Sequence, residues 1–292
     1  MSKNRILMCY GKTKFSPGSY LEDGLNEIGW HVDQLSGEID FRQLNMSKYT
    51  AVLFVESSSR PPVKVKNIEQ VKVPKLFWVT HGENRLQTNL MLNRSYKTDI
   101  VLMAHSLHLA DKFPVPVRFF PFAMTVDIFN YTDPLVQRTT DISFIGNLDT
   151  TNYLDRIMAI KAIKTRFHDK CSLSFRSNVY LHELAKVYGR SKIVINVTAD
   201  WSSSINMRLF EGMGCGALVL SDYVPGMEQL FEDKKHLVLF QNRDELLDHI
   251  DYYLNNLDQA QKIANAGYQH LLANHTYRHR ARELVNIIDA LQ

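Results

Sequence analysis

Residues 206–222 read NMRLFEGMGCGALVLSD, and their pattern changes half-way along the stretch. The first half mixes apolar residues with Arg208 and Glu211, which indicates a short amphipathic helix. Three glycines follow at Gly212, Gly214 and Gly216, and glycine both ends a helix and permits a tight turn. Residues 217–220 are continuously apolar, as in a parallel strand that is buried on both faces. The stretch therefore predicts a helix that leads directly into a buried strand.

The start of this helix is a candidate anion site. Serines at 202–204 precede it, and serine is a favourable residue at a helix N-cap. Free N–H groups and the helix dipole both favour an anion at such a position. Arg208 adds a planar fork that suits phosphate, and Glu211, one turn further on the same face, could accept hydrogen bonds from sugar hydroxyls. The alternative interpretation is a simple surface ion pair between Arg208 and Glu211.

Apolar strands alternate with helices on both sides of this stretch. Strands are predicted over residues 5–10, 31–35, 51–55, 75–80, 99–104, 117–120, 141–145, 172–175, 192–197 and 237–240. Helices are predicted over residues 21–28, 84–93, 153–167, 179–188, 243–254, 258–272 and 277–291. This alternation predicts the α/β class, with parallel sheets that are covered by helices on both faces. Residues 122–140 are polar and broken by Pro134, so we interpret them as a linker between two Rossmann-like, doubly wound domains.

Length and composition limit the classes of function. A chain of 292 residues is long enough for two domains, and 45% apolar with 22% charged residues is typical of a soluble globular protein. The net charge of +3 does not suggest a binder driven by a strongly basic tail. No apolar run is long enough to span a membrane. Cys9, Cys171 and Cys215 lack metal-ligand spacing, so we expect reduced thiols in a cytoplasmic protein.

Four short segments of the second half resemble a known family. They are FIGN at residues 144–147, SKIVIN at 191–196, RLFEGMGCG at 208–216 and HTY at 275–277, followed by Arg280. In this order and spacing they resemble the carboxyl-terminal half of GT-B glycosyltransferases. The similarity is greatest to the group 1-like enzymes with an R-x-F-E-x-M-x-x-G segment, which include the CgeB-like spore proteins. The first half resembles the family only in its pattern of strands and helices.

The resemblance implies the organisation of the domains. Residues 1–125 would form the acceptor-binding domain, and residues 139–274 would form the domain that binds a nucleotide sugar. Residues 275–292 would form a last helix that crosses back to pack on the first domain. The arginines of this helix are expected on a solvated face, and an acidic partner for them is the alternative.

The resemblance also assigns a set of donor-binding residues in the second half. Glu211 would hydrogen-bond the ribose hydroxyls, and Arg208 would meet the diphosphate or the nearby sugar. The full set of expected donor-binding residues is Gly146, Asn147, Arg176, Ser177, Asn206, Met207, Arg208 and Glu211. An ordinary strand-to-helix turn is the alternative for Gly146 and Asn147. The commonest retaining pattern has a second glutamate eight positions before the first, and here that position is Ser203.

Candidate residues in the first half lie where predicted strands end. His81 follows a strand and is the candidate catalytic base, with Glu83 as the other candidate. A structural histidine held by hydrogen bonds is the alternative. The loop that contains Gly11, Lys12 and Lys14 is a candidate for binding an anionic acceptor or the donor phosphates, and a solvated loop is the alternative. The loop is neither a P-loop nor a G-x-G-x-x-G segment, which argues against a dehydrogenase.

The resemblance implies a glycosyltransferase that transfers a hexose or pentose from a nucleotide-diphosphate donor to a hydroxyl acceptor. The chain contains no Asp-x-Asp pair, so we expect a metal-independent reaction with no cofactor. The acceptor is open between a small molecule, a glycan, a protein and a DNA base. Two alternatives remain, a sugar-nucleotide epimerase of the same double-Rossmann build and a non-catalytic protein that binds a nucleotide sugar.

Overall fold

The computed structural model describes residues 4–57, 60–149, 153–198 and 204–292. The chain forms two compact units. The first unit combines Met1–Phe122 with Tyr277–Gln292, and the second unit is the continuous segment Ala123–Thr276. Within the described ranges, no helix is long and apolar enough to cross a membrane.

The first unit is built on a parallel sheet of six strands in the order β2-β1-β4-β6-β7-β8. The strands of this unit are β1 (Arg5–Cys9), β2 (His31–Leu35), β3 (Glu38–Asp40), β4 (Ala51–Val55), β5 (Lys64–Lys66), β6 (Lys75–Val79), β7 (Ile100–Met103) and β8 (Val117–Phe119). The central strands are apolar because helices and loops cover both faces, and Val52, Phe77 and Val101 are fully buried. The six predicted strands of the first half are therefore confirmed. The short pair β3 and β5, which forms a separate two-stranded sheet, was not predicted.

Three α-helices are described in the first unit: α1 (Pro17–Glu27), α2 (Leu86–Tyr96) and α8 (Tyr277–Asp289). The side chain of Ser16 caps the start of α1 by accepting a hydrogen bond from the Ser19 N–H. Helix α8 packs on α1, so the predicted return of the last helix to the first domain is confirmed. The two helices approach closely because Gly24 lacks a side chain, and a Cβ atom there would lie 2.4 Å from the Tyr277 carbonyl oxygen.

The second unit is built on a parallel sheet of five strands in the order β10-β9-β11-β12-β13. Its strands are β9 (Thr140–Ile145), β10 (Leu173–Arg176), β11 (Ser191–Asn196), β12 (Leu218–Asp222) and β13 (Val238–Phe240). Its helices are α3 (Leu154–Phe167), α4 (Leu181–Gly189), α5 (Met207–Gly214), α6 (Arg243–Asn255) and α7 (Leu257–Asn274). The stretch from which the sequence analysis began is thus α5 followed by β12, as predicted, and both units have the doubly wound α/β arrangement.

The predicted linker at residues 122–140 is not a free connection. Residues 123–138 belong to the second unit. Phe129 and Leu135 are fully buried there, and the Phe129 Cβ packs against the Cα of Gly214. The segment resembled a linker because most residues around Pro134 are polar, and its two buried apolar residues form no recognisable pattern.

Each sheet has one point at which the strand order reverses. In the first sheet the chain goes from β1 outward to β2 and then returns to β4 on the other side of β1. In the second sheet it goes from β9 to β10 and then to β11 on the other side of β9. Ligands of doubly wound sheets bind outside the carboxyl ends of the strands at such switch points. The residues that follow β1, β4, β9 and β11 therefore define where a site is expected in each unit.

Candidate functional site

Arg208 lies at the switch point of the second sheet. Its Nε donates to the carbonyl oxygen of Ile145 at 2.8 Å, and its Nη1 donates to Asn196 Oδ1 at 2.7 Å. The guanidinium also lies over the Phe144 ring, 4.6 Å from the centroid. These contacts bind Arg208 to the ends of β9 and β11. A simple surface pair with Glu211 is therefore the wrong interpretation, because both of these donors are directed to the strand ends instead.

Gly146 is required by the position of Arg208. A Cβ atom on Gly146 would lie 2.6 Å from Arg208 Nη2 and 2.8 Å from the Phe144 ring. The open side of this glycine is thus filled by the guanidinium and an aromatic ring. The next residue, Asn147, accepts hydrogen bonds at its carbonyl oxygen from Arg156 and at its side-chain oxygen from the Asp149 N–H. Gly146 and Asn147 form a turn whose geometry depends on two arginines.

Arg156 is a buried cation that sequence reasoning missed. Its Nη1 donates to the Asn147 carbonyl oxygen at 2.9 Å, and its Nε donates to the Val197 carbonyl oxygen at 3.0 Å. The side chain therefore bridges the residues that follow β9 and β11, which are the two strands at the switch point. One signal existed in the sequence, because Arg156 interrupts the apolar face of a predicted helix. Together with Arg208, it gives this edge of the sheet two positive charges.

Asn206 begins the helix that carries Arg208. Its side-chain oxygen accepts a hydrogen bond from the Arg208 N–H at 3.0 Å, so Asn206 is the N-cap and Met207 is the first helical residue. The sequence pattern had favoured the serines at 202–204 for this role. Ser202 and Ser203 lie outside the described residues, and Ser203 is the position eight before Glu211.

Glu211 lies one turn beyond Arg208 on α5. Among the described residues, no side chain or backbone group donates a hydrogen bond to its carboxylate. Burial raises the pKa of Glu211 to about 7, and the positive charge of Arg208 partly opposes this rise. A half-buried carboxylate without a donor carries a desolvation penalty that a ligand with hydroxyl donors would relieve. Glu211 thus has the properties of a residue that binds a polar ligand.

Ser177 and Arg176 complete the expected set at the end of β10. The Ser177 hydroxyl donates to the Gly146 carbonyl oxygen at 2.8 Å, which ties β10 to the turn after β9. The Arg176 carbonyl oxygen accepts a hydrogen bond from the Gly146 N–H at 3.1 Å, while its side chain is exposed. All the expected donor-binding residues are therefore described, and they follow neighbouring strands of one sheet or begin α5.

His81 lies at the carboxyl end of β6 in the first unit and contacts a buried carboxylate. Its Nδ1 is 3.0 Å from Glu56 Oε2, and Glu56 follows β4, the strand next to β6. Glu56 also accepts hydrogen bonds from the Thr80 N–H and hydroxyl and forms an ion pair with Arg85. Burial acts to raise the pKa of Glu56, but the hydrogen bond and charge of His81, with Thr80 and Arg85, outweigh it and leave the pKa lowered. An ionised Glu56 places the ring proton on Nδ1 and leaves Nε2 of His81 as a base.

Tyr10 and His81 line a cavity of about 200 Å³. The cavity also borders the loop before α1, which includes Thr13 and Ser16. The phenol of Tyr10 donates a hydrogen bond to Glu22. A base at the wall of a cavity of this size is suited to act on a small polar group such as a hydroxyl.

Glu83 belongs to a different group of contacts. Its carboxylate accepts a hydrogen bond from the Ser106 hydroxyl at 2.9 Å and lies 3.5 Å from His108 Nε2. It therefore holds the turn after β7, whereas His81 is held by Glu56. Sequence analysis gave Glu83 as the other candidate for the base, and the structure places the two side chains in different groups of contacts, because those of His81 are with Glu56 and Thr80.

The loop after β1 contains the other expected residues of the first unit. Gly11 packs against Arg60, whose Cβ would lie 2.3 Å from a Cβ atom at position 11. Lys12 forms an ion pair with the buried Glu22, and Lys14 is exposed. Over the described ranges, no group of three or more His, Cys, Asp or Glu side chains has the arrangement to hold a metal ion.

A protein-family model described as glycosyl transferase-like matches residues 134–286, which is more than half of the chain. The chain belongs to this glycosyl transferase-like family. The match contains all the second-unit residues discussed above, from Gly146 to Glu211. A search of curated protein sequences finds no match.

Solved structures show that this glycosyltransferase has the GT-B fold, as predicted. A glycosyltransferase from Rickettsia africae is 15% identical with a TM-score of 0.67, and the match covers 100% of this chain and 99% of that one. Anabaena Alr3699/HepE, solved in complex with UDP-glucose, is 10% identical with a TM-score of 0.64. The match covers 98% of this chain and 100% of that one. An alpha-glucosyltransferase solved with UDP-glucose and DNA containing an abasic site is 12% identical with a TM-score of 0.66. The match covers 98% of each chain.

Proposed function

We propose that this glycosyltransferase transfers a sugar from a nucleotide-diphosphate donor to a hydroxyl acceptor, without a metal ion or other cofactor. The observation that carries the proposal is the position of Arg208, which is bound to the ends of β9 and β11 and lies one turn before the half-buried Glu211. A fixed cation can bind the diphosphate of such a donor, and a neighbouring carboxylate without a hydrogen-bond donor can bind its ribose.

In this proposal the second unit binds the donor. Arg208 uses two of its nitrogens for the strand ends, which leaves Nη2 directed to the diphosphate oxygens. Glu211 accepts hydrogen bonds from the ribose hydroxyls, and Arg176 stacks on the base or reaches a phosphate. Fixed positive charge stabilises the leaving diphosphate, which is the role a metal ion has in other glycosyltransferases. Structural neighbours solved with UDP-glucose support a nucleotide sugar as the donor.

The first unit supplies the base. The proton of the acceptor hydroxyl moves to Nε2 of His81 while the acceptor oxygen forms its bond to the anomeric carbon. The bond from that carbon to the diphosphate breaks, and its electron pair leaves with the diphosphate. Glu56 holds the imidazole in the required tautomer and stabilises the imidazolium that forms. Direct displacement of this kind inverts the anomeric centre.

The test is a thermal-shift screen against nucleotides and nucleotide sugars. A ligand at a hundredfold excess over its dissociation constant should stabilise the folded protein by about 3 kcal/mol. We expect one nucleotide diphosphate and its sugar to raise the Tm, and the shift to disappear in Glu211→Ala. The matched control is Glu183→Ala, which removes an exposed carboxylate from the same unit and should retain the shift. Flat curves over the whole panel would contradict the donor site.

A second measurement tests transfer itself. The selected donor is incubated with a panel of hydroxyl acceptors, and the release of nucleoside diphosphate and the anomeric configuration of the product are recorded. An inverted product and loss of turnover in His81→Asn, with donor binding retained, are the expected results. A product of retained configuration would contradict the direct displacement.

A further inference from the structure

The first unit contains a groove that the proposed function does not use. Its volume is about 500 Å³, and it borders the carboxyl ends of β1 and β2. Three basic side chains line it, Lys12, Arg60 and Lys64, together with Glu38. This groove is called the basic groove below.

The basic groove has an excess of positive charge. Glu38 is neutralised by Lys66, with an oxygen-to-nitrogen distance of 2.7 Å, and Lys12 is paired with the buried Glu22. Within the part of the chain that the structure describes, Arg60 and Lys64 form no ion pair, although Glu38 lies opposite Lys64 in the pairing of β3 with β5. The groove and its paired side chains thus hold four cations, Lys12, Arg60, Lys64 and Lys66, against the two carboxylates of Glu22 and Glu38. Such a surface attracts an anion rather than a neutral or basic ligand.

The backbone that carries these cations is restrained. The Cβ of Arg60 packs against the Cα of Gly11, and Pro61 and Pro62 follow directly and fix two φ angles. The Lys64 N–H donates to the Gly37 carbonyl oxygen at 2.9 Å, which fixes the start of β5 beside the other wall. Because the walls are already restrained, less conformational entropy is lost when a ligand binds. The planar fork of Arg60 is suited to a phosphate group, which it can bind through two nitrogens.

The basic groove and the His81 cavity are formed by the same two loops. The loop after β1 gives Tyr10 to the cavity and Gly11 to the groove. The loop after β4 gives Glu56 to the cavity and Arg60 to the groove. A ligand that extends along these loops could therefore place one group in each.

We propose that the basic groove binds a phosphate group of the acceptor, while a hydroxyl of the same molecule lies at His81. This inference rests on the proposed function, because it names the class of acceptor for that reaction. The ligand chemistry is a phosphate ester. It is supplied either by a small phosphorylated molecule or by the phosphodiester backbone of a polymer, and the experiment distinguishes these sources.

The experiment measures binding by isothermal titration calorimetry with the donor site filled by the nucleotide diphosphate found in the screen. The probes are glycerol, glycerol 3-phosphate and a short single-stranded DNA. Glycerol should not bind, whereas at least one of the two phosphate esters should. Binding of glycerol 3-phosphate indicates the small-molecule source, and binding of the DNA alone indicates the polymer source.

Variants locate the binding. Arg60→Ala and Lys64→Ala should each weaken binding of the phosphate ester by about tenfold, which is the usual contribution of one charge-assisted hydrogen bond. The control is Lys72→Ala, which removes an exposed lysine of the same unit that does not line the groove. Equal affinities in all three variants, or no binding of either ester, would overturn the proposal.

The failure of this inference is separable from that of the proposed function. Retained nucleotide binding with no effect of Arg60→Ala and Lys64→Ala overturns the phosphate groove and leaves the donor site intact. If no nucleotide binds, the same titrations are made without it. Phosphate binding that depends on Arg60 and Lys64 then supports the groove although the proposed function has failed.

Discussion

Glu56 Oε2 lies 3.0 Å from His81 Nδ1, and this pairing joins the ends of two neighbouring strands, β4 and β6. The carboxylate is almost completely buried, whereas about a third of the histidine side chain is exposed. The arrangement fixes the ring through Nδ1, and no hydrogen bond to Nε2 is formed by the described residues. Glu56 is therefore a positioning residue, and it acts on the reaction only through His81.

The first prediction concerns the substitution Glu56→Gln. The amide retains the size of the side chain but removes the negative charge that stabilises a protonated imidazole. We expect kcat to fall by at least about tenfold, with little change in the KM of the donor. Initial rates over a series of donor concentrations measure kcat and KM separately.

Glu69→Gln is the control for this prediction, because Glu69 is an exposed carboxylate of the same unit. An unchanged kcat together with a lower melting temperature in Glu56→Gln would mean that Glu56 only stabilises the fold.

The second prediction concerns Gly146 and Arg208. A methyl group in Gly146→Ala would lie 2.6 Å from Arg208 Nη2 and must displace the guanidinium. Arg208→Lys loses the fork that reaches both Ile145 and Asn196. We expect either variant to weaken nucleotide binding by at least about tenfold, the effect of losing one charge-assisted hydrogen bond. Calorimetry with the selected nucleotide measures the change.

Arg166→Lys serves as the matched control, because Arg166 is an arginine of the same unit in a partly exposed ion pair with Asp248. Wild-type affinity in Gly146→Ala would show that the position of Arg208 is not important for the donor.

The third prediction concerns pH and Glu211. Burial raises its pKa to about 7 in the folded protein, whereas the pKa of a glutamate in the unfolded chain is near 4. Between these two pH values the folded state therefore binds more protons than the unfolded state. The free energy of unfolding should therefore decrease as the pH rises through this window, by up to roughly 3 kcal/mol. Glu211→Gln should remove this decrease. Urea denaturation at several pH values measures it.

Donor binding should show the opposite dependence on pH. The ionised carboxylate is the better acceptor for ribose hydroxyls, so affinity for a nucleotide sugar should rise as the pH increases through 7. A nucleotide sugar is the suitable ligand because its diphosphate does not titrate in this range. Affinity that is independent of pH in the wild-type protein would contradict the role given to Glu211.

The fourth prediction concerns Gly24, where α1 meets α8. A Cβ atom in Gly24→Ala would lie 2.4 Å from the Tyr277 carbonyl oxygen, and backbone cannot move as a side chain can. We expect a loss of about 1–3 kcal/mol in the free energy of unfolding, despite the better helix propensity of alanine. Asn26→Ala, at an exposed position of α1, is the control and should be neutral or slightly stabilising. Equal stability of the two variants would mean that α1 and α8 can separate without a penalty.

The sequence predicted the parts of the fold whose pattern is local. Buried parallel strands such as β4 and β7 are continuous apolar runs, and their bounds were predicted to within one residue. Strands β3 and β5 were missed because they are three residues long and mostly polar, with Glu38 and Lys64 exposed. Such strands exist only because each pairs with the other, and that pairing is not visible in either segment alone.

The candidate site was predictable where a helix motif contained it and unpredictable where it depends on contacts between distant strands. Arg208 and Glu211 lie in one short motif. Glu56 and His81 are 25 residues apart. In the sequence, a single glutamate after an apolar strand cannot be distinguished from any other loop residue. Its contact with a histidine is seen only when the neighbouring strand is placed beside it. Arg156 was concealed for the same reason, since its acceptors are carbonyl groups that a sequence does not distinguish.

The return of α8 to the first unit has a consequence for synthesis on the ribosome. The second unit is one continuous segment, Ala123–Thr276, whereas the first unit lacks a helix until Tyr277–Gln292 has been made. Translation usually lets the amino-terminal domain of a protein fold first. Here the order of completion is reversed, because the later-encoded unit has all its residues before the earlier one. Until α8 emerges, the face of α1 around Gly24 stays uncovered, so a nascent chain stalled before residue 277 should be a substrate for chaperones.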